Sequence, residues 1–183
     1  VFSNLNYSYL NEGENVYTNP YRRLGLRYLE VFSDHPIDPE YITVIPTYYP
    51  LEKRIPEFSD PLDRKIYEVG VRTLELCMHE HYEDCPIREQ GLYGFDGLNQ
   101  MVFGYYAFNE TDMPRESIRL LAEGITDMGL IPLCAPSEWN EKIPMFSIAW
   151  VFALEQYYIR TKDLDFVKEM FSNPIEAVKR AAN

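Results

Sequence analysis

The residues with the clearest chemical potential lie between His79 and Gln100, where carboxylates and aromatic rings occur close together. The acidic and aromatic side chains of this stretch are Glu80, Glu83, Asp84, Glu89, Asp96, Tyr82, Tyr93 and Phe95. Two glycines between positions 90 and 95 predict an irregular loop rather than a solid helix. Because carboxylates accept hydrogen bonds from sugar hydroxyls and rings stack on pyranose faces, the loop predicts a carbohydrate site.

The same carboxylates have the chemistry needed to hydrolyse a glycoside. Glycosidases use one protonated carboxyl group to protonate the leaving oxygen and a second carboxylate to activate water or attack the sugar. Glu89 lies between Asp84 and Asp96 in the sequence, and neighbouring negative charge raises the pKa of a carboxyl group. Arg88 would lower that pKa if it faced the same cavity, so the sequence does not show whether the pKa of Glu89 is raised or lowered overall.

The motif DCPIRE at positions 84–89, followed by LYGFD at 92–96, resembles the signature of the bacterial α-L-rhamnosidases. That signature reads Asp-Cys-Pro-Gln-Arg-Glu and then Gly-aromatic-x-Gly-Asp, and the resemblance extends over about residues 20–175. The family consists of inverting glycoside hydrolases with a catalytic barrel of six helical hairpins. The resemblance therefore implies a mainly α fold, a partial (α/α)6 six-hairpin barrel preceded by a short β segment from an upstream β-sandwich.

The resemblance also implies roles for individual residues. Glu89 matches the general acid, and Asp84 and Asp96 match carboxylates that bind the hydroxyls of the rhamnose ring. Arg88 matches an arginine that contacts the sugar and orders the carboxylates, and Tyr93 matches an aromatic residue lining the sugar pocket.

Two departures from the signature lie inside the loop. Ile87 stands where the family has Gln. At the end of the loop, Gly91 and Phe95 also differ from the signature, and Phe95 replaces the glycine before the aspartate. These departures concern the identity of the sugar more than the class of chemistry.

The family's general base is a glutamate from a later hairpin, which we expect beyond residue 183. Residues 1–57 are then the end of a β-sandwich domain, and residues 58–183 are the first helical hairpins of an incomplete barrel. Under this interpretation the isolated chain is inactive although the intact protein is a glycosidase. Turnover of an aryl rhamnoside by the isolated chain would contradict it.

Three other interpretations stay open at this point. The protein could be a non-catalytic glycan-binding or regulatory protein that kept the pocket and lost the base. It could be a structural interaction domain, in which the acidic loop only caps helices. It could also be a six-hairpin glycosidase for another sugar, since one fold hosts several activities. A downstream glutamate tests the first alternative, and saturable rhamnose binding tests the second.

Simpler structural roles compete with the chemical ones. Asp96 stands at a predicted helix start and could cap free N–H groups there. Glu89 and Arg88 could form an ion pair that only holds the loop. His79 and His81 are two residues apart and do not share a helix face, so we predict that they bind no metal. We expect them instead to order the loop through hydrogen bonds.

Trp139 is a second candidate for sugar binding. It lies in the loop SEWNEK beside Glu138 and Glu141, which suits the rim of a binding site, with packing beneath the loop as the alternative. Trp150 lies within an apolar helix and is expected in the core.

Composition excludes several classes of partner. The chain has 183 residues, with 17 Lys and Arg against 29 Asp and Glu, and this acidity disfavours nucleic acid and anionic membranes. Its three cysteines form no CxxC pair, so we predict packed thiols rather than disulfides, zinc ligands or a nucleophile.

We expect no cofactor. The expected partners are a rhamnose-containing oligosaccharide or glycoside and the remainder of the barrel. Reduced thiols favour a cytoplasmic location over a secreted or periplasmic one.

The pattern of elements changes near residue 58. Before it, proline-bounded runs over Leu24–Phe32 and Tyr41–Tyr49 read as strands. After it, six helices are predicted, with starts at 60–61, 96, 111–114, 143–144, 162–163 and 173–174, the first running to about His81. Short connections favour antiparallel hairpins, and the helix over 143–161 is apolar on nearly all sides, so it must be covered on all of them.

Overall fold

The computed structural model describes residues 5–19, 21–126, 128–139 and 141–181, with side chains described as far as residue 172. Within these ranges the chain is mainly helical, as expected. The elements in chain order are α1 (Pro61–Glu75), β1 (Leu92–Tyr93), α2 (Gly94–Ala107), α3 (Asp112–Glu123), β2 (Cys134–Ala135), α4 (Pro144–Thr161) and α5 (Leu164–Ala181). None of the helices in the described ranges is both long enough and apolar enough to span a bilayer.

The start of α1 follows the sequence signal. The Asp60 side chain accepts the N–H of Leu62 at 2.7 Å, and Pro61 occupies the first helical position, where no backbone donor is needed. The predicted end near His81 is wrong, because α1 stops at Glu75. The chain then turns back on itself, and a β-bridge between Met78 and Tyr82 buries both side chains.

Helix α2 packs mainly against α4, and small residues permit the close approach. A Cβ added at Gly94 would lie 3.3 Å from the carbonyl oxygen of Phe146, at the start of α4. Trp150 of α4 is buried and donates its Nε1–H to the carbonyl of Ile118 in α3 at 2.9 Å, so the prediction that Trp150 belongs to the core is confirmed.

Only one face of α4 is covered by the described residues. Ala149, Trp150 and Ala153 are buried against α2 and α3, whereas Val151 and Phe152 are about half exposed. The prediction that all sides of this helix are covered is therefore not met within the described part of the chain. Contiguous apolar surface of this kind is typical of a face that packs against further protein.

The helix break predicted at Asn173-Pro174 is wrong. Asp163 accepts the N–H of Phe166 at 3.0 Å with its side chain, and one continuous helix follows, Leu164–Ala181. A proline inside a helix removes one backbone hydrogen bond but leaves the neighbouring turns bonded, so a helix can continue through it with a local distortion.

The described residues before position 58 form no strand, so the strands predicted over Leu24–Phe32 and Tyr41–Tyr49 are absent. A strand requires hydrogen bonds to a neighbouring strand, and two or three short segments do not make a stable sheet alone. This segment instead bonds to the helical part, for example from the amide of Tyr49 to the carbonyl of Met78 at 2.9 Å. The assignment of residues 1–57 to a β-sandwich domain stays a prediction.

Candidate active site

The DCPIRE motif forms a closed loop between α1 and α2. The backbone N–H of Asp84 donates to the carbonyl of Gly91 at 3.0 Å, and the N–H of Gly91 donates to Asp84 Oδ1 at 3.1 Å. Gln90 makes this closure possible with a left-handed backbone, φ 53°. The two ends of residues 84–91 are thereby drawn together. We call this segment the catalytic loop because it contains Glu89, the candidate general acid.

Closure of the loop brings the carboxyl groups of Asp84 and Glu89 into a hydrogen bond. This bond raises the pKa of Glu89 above its ordinary value, because a protonated Glu89 donates to the ionised Asp84. Partial desolvation and the negative charge of Asp84 add to the increase. The Arg88 guanidinium lies 2.6 Å from Glu89 Oε1 and opposes it without reversing it.

Asp84 is the ionised member of the pair. Burial alone would raise the pKa of Asp84, but hydrogen bonds from the side chains of Glu89 and Cys85 outweigh it. The backbone N–H groups of Gly91 and Cys85 add to this effect, so the pKa of Asp84 lies below its ordinary value. When the pair binds one proton, Glu89 therefore holds it in preference to Asp84.

The carboxyl group of Glu89 is accessible to solvent. The side chain of Glu89 is 33% exposed, and that of Arg88 is 60% exposed. The ion pair between them is the structural role that competes with acid catalysis, and it is present in the structure. A solvent-facing carboxyl group with a raised pKa is nevertheless the arrangement that a general acid needs.

Tyr93 lies beside the carboxyl pair. It forms the short strand β1, which runs antiparallel to β2 with Tyr93 opposite Cys134. Burial raises the pKa of Tyr93 to about 12, and the negative charges of Glu89 and Asp84 contribute to the increase. The ring lies against the end of the loop, because a Cβ added at Gly91 would lie 3.0 Å from Cε2 of Tyr93.

Asp96 faces the same site from the first turn of α2. Burial raises the pKa of Asp96, its own backbone N–H opposes the increase, and the charge of Asp84 adds to it. The residue at the N-cap of α2 is Tyr93, which makes no side-chain capping bond, and the carboxylate of Asp96 accepts its own backbone N–H within the first turn. The structure thus brings together Asp84, Arg88, Glu89, Tyr93 and Asp96.

Trp139 lies in a neighbouring cavity of about 360 Å³. Its side chain is 51% exposed. The lining is apolar at Leu120, Pro132, Ala135 and Pro136 and polar at Glu123, Thr126, Ser137 and Glu138. No residue of the catalytic loop lines this cavity, but Ala135 pairs with Leu92 of β1 and so joins the cavity to the loop.

One group of side chains in the described residues is close enough to share a metal ion. Ligand atoms of Asp84, Cys85 and Glu89 lie within 4.8 Å of one another. The hydrogen bonds from Glu89 and Cys85 to Asp84 already account for this spacing, so we assign the group no metal.

The two histidines near the loop bond to backbone oxygens. Nε2 of His79 lies 2.9 Å from the carbonyl of Thr47, and Nδ1 of His81 lies 2.7 Å from that of Tyr82. The cysteines Cys77, Cys85 and Cys134 are free thiols, and burial raises the pKa of Cys77 to about 11.

Sequence reasoning missed Arg23. Its guanidinium pairs with Glu83, which is fully buried and directly precedes the catalytic loop. A buried carboxylate such as Glu83 needs a cation, so its presence indicated a partner indirectly. Nothing in the local sequence showed that this partner lies 60 positions earlier in the chain.

Comparison with known proteins identifies the chain. Residues 56–182 match the family described as bacterial alpha-L-rhamnosidase 6 hairpin glycosidase domain, whereas no curated protein matches. A GH78 family rhamnosidase of Bacillus sp. GL1 is similar in structure, with 27% identity and a TM-score of 0.63 over 69% of this chain and 13% of that one. A rhamnosidase from Klebsiella oxytoca with rhamnose bound has 26% identity and a TM-score of 0.56 over 70% of this chain and 26% of that one.

The chain therefore spans only a small part of these two rhamnosidases. The expected mainly α fold, a partial six-hairpin barrel, is confirmed by the helical structure and by both comparisons. Since the matched region covers more than half of its residues, the chain belongs to the bacterial α-L-rhamnosidase six-hairpin glycosidase family.

Proposed function

We propose that the protein hydrolyses terminal α-L-rhamnosides with inversion, with Glu89 as the general acid and a general base from outside this chain. The observation that carries the proposal is the hydrogen bond between Asp84 and Glu89, which raises the pKa of Glu89 and lowers that of Asp84. A related rhamnosidase with rhamnose bound supports rhamnose as the sugar.

In the proposed reaction, Glu89 donates its proton to the glycosidic oxygen as the bond to the anomeric carbon breaks. The leaving alcohol departs neutral, and Glu89 becomes a carboxylate beside Asp84. The general base takes a proton from a water molecule, which attacks the anomeric carbon from the opposite face of the sugar. The carboxyl group of this base would lie about 6.5–9.5 Å from that of Glu89.

The other four residues would hold the sugar. Asp84 and Asp96 are half-buried carboxyl groups that interact electrostatically, and each could accept hydrogen bonds from ring hydroxyls. Tyr93 offers a ring beside them. Arg88 is exposed enough to reach a hydroxyl while it keeps its contact with Glu89.

A panel of aryl glycosides tests the proposal in the full-length protein. We expect turnover of the α-L-rhamnoside above that of other aryl glycosides, and proton NMR of the first product should show the inverted β anomer. Turnover confined to another sugar would overturn the substrate assignment. An α anomer formed first would overturn the mechanism.

The Trp139 cavity suits the part of the substrate beyond the terminal rhamnose, since a half-exposed ring and two carboxylates line it. Trp139→Ala should raise KM for rhamnose-terminated oligosaccharides by roughly tenfold or less, because ring contacts are worth about 0.5–1.5 kcal/mol. KM for a simple aryl rhamnoside should change little.

Trp139→Phe keeps an aromatic ring and serves as the control for this prediction. It should restore most of the affinity for oligosaccharides. Equal losses for short and long substrates in Trp139→Ala would instead mean that Trp139 only packs beneath its loop.

A further inference from the structure

The chain segment at Arg23 contacts both ends of the catalytic loop. The guanidinium of Arg23 pairs with the carboxylate of Glu83, the residue immediately before Asp84. The backbone carbonyl of Arg23 accepts a hydrogen bond from Gln90 Nε2 at 3.3 Å, and Gln90 immediately follows Glu89. One residue, far away in sequence, thus bonds on both sides of the Asp84–Glu89 pair.

The middle of the loop is in contact with the same segment. A Cβ added at Gly25 would lie 2.9 Å from the carbonyl oxygen of Pro86 and would overlap the side chain of Ile87. The backbone at position 25 therefore packs directly against residues 86 and 87, where any larger side chain would push the loop away.

Glu83 is held firmly on its own side. Its side chain is fully buried, and His79 Nδ1 lies 3.2 Å from Oε1. Its amide donates to the carbonyl of Cys77 at 2.9 Å, and its carbonyl accepts from Gln100 Nε2 at 2.6 Å. A buried carboxylate that loses its cation becomes a costly unpaired charge and is drawn towards water. Glu83 could move only by carrying Asp84 with it.

We propose that Arg23 is a positioning residue for catalysis, which fixes the separation of Asp84 and Glu89 through its contacts with Glu83 and Gln90. The inference rests on the proposed function, because it assigns Arg23 to the delivery of the proton from Glu89. It also gives the segment before α1 a part in catalysis, although that segment supplies none of the reacting groups.

The test replaces Arg23 by Met in the full-length protein. We expect faster hydrogen–deuterium exchange in the peptide covering residues 84–91, whose amides at Asp84 and Gly91 close the loop. We also expect about a tenfold loss of kcat for an alkyl rhamnoside, since a displacement of about 1 Å can cost a hundredfold and the backbone bond to Gln90 remains. For an activated aryl rhamnoside, which needs little protonation, the loss should be smaller.

Glu75→Gln provides a matched control. Glu75 is also buried and also pairs with a cation from the preceding segment, Lys53, at 2.9 Å, but it lies at the end of α1. Its loss should lower the melting temperature without faster loop exchange or a dependence on the leaving group. Arg23→Lys, which keeps the charge facing Glu83, should recover part of the activity lost in Arg23→Met, and it guards against a variant that does not fold.

The possible outcomes separate clearly. Arg23→Met with unchanged loop exchange, or with faster exchange and unchanged kcat, overturns the proposal. So do equal effects of Arg23→Met and Glu75→Gln on kcat, since these would reflect stability alone. If the wild-type protein hydrolyses no rhamnoside, the proposed function fails, whereas loop exchange still decides whether Arg23 holds the loop.

Discussion

Replacing Glu89 by Gln should lower kcat for an alkyl α-L-rhamnoside by about 10²–10⁴-fold, the range that general acid catalysis supplies. The amide cannot deliver a proton, so the alkoxide would have to leave unassisted. With a dinitrophenyl leaving group, whose departure needs little protonation, most of the activity should remain. Steady-state kinetics on the two substrates, at one pH, measure the difference.

The Glu89→Gln variant is a fair test because a glutamine side chain at this position keeps the shape of the loop. Its amide N–H₂ can still donate to the Asp84 carboxylate, as the protonated carboxyl group does in the wild type. Substrate affinity should therefore change little, and the defect should appear in kcat.

Arg88→Met separates this role from a purely structural ion pair. Arg88 pairs with Glu89 at 2.6 Å, so both substitutions remove the same ion pair. If the pair only holds the loop, Glu89→Gln and Arg88→Met should cause similar losses, independent of the leaving group. If Glu89 is the acid, only Glu89→Gln should depend on the leaving group.

Local signals in the sequence predicted the start of α1 but not its end. The Asp60-Pro61 pair begins α1 because a side-chain oxygen and a proline ring satisfy the first turn locally. The end of α1 depends instead on burial of Met78 and Tyr82 against the rest of the fold, which no local pattern encodes. The strands predicted before residue 58 failed for a related reason, since pairing partners are a property of the fold.

The same distinction applies to the site. The motif indicated Asp84 and Glu89, but their sequence separation did not show that they bond to each other. That contact requires the left-handed Gln90 and the amide of Gly91. The sequence also left open whether Arg88 would cancel the increase in the pKa of Glu89, which only the geometry of the hydrogen bond decides. Arg23 has no local signal, because its role depends on where the preceding segment runs.

Asp84→Asn should have the second largest effect, because it alters both binding and proton delivery. Loss of a charged acceptor for sugar hydroxyls costs about 1.5–3 kcal/mol, which lowers kcat/KM by roughly tenfold to a hundredfold. The loop should survive, since the side-chain carbonyl of Asn can still accept the N–H of Gly91.

The second part of the defect depends on pH. Asp84 raises the pKa of Glu89, and Glu89 must be protonated to act, so activity falls as pH rises through the pKa of Glu89. Without the negative charge at position 84, that pKa falls. The alkaline limb of the kcat/KM profile should therefore move to lower pH, and at neutral pH the loss should exceed the binding defect.

Asp96→Asn is the matched control for this shift. The groups that shift the pKa of Glu89 are Asp84 and Arg88, together with partial burial. Asp96 is not among them, although its own pKa is raised by the charge of Asp84. Asp96→Asn should therefore weaken sugar binding and leave the alkaline limb in place. An unmoved limb in Asp84→Asn, or equal shifts in both variants, would show that the limb reports another group. Because Asp84 stays ionised over the range in which Glu89 titrates, a shift confined to Asp84→Asn would identify Glu89 as the titrating acid.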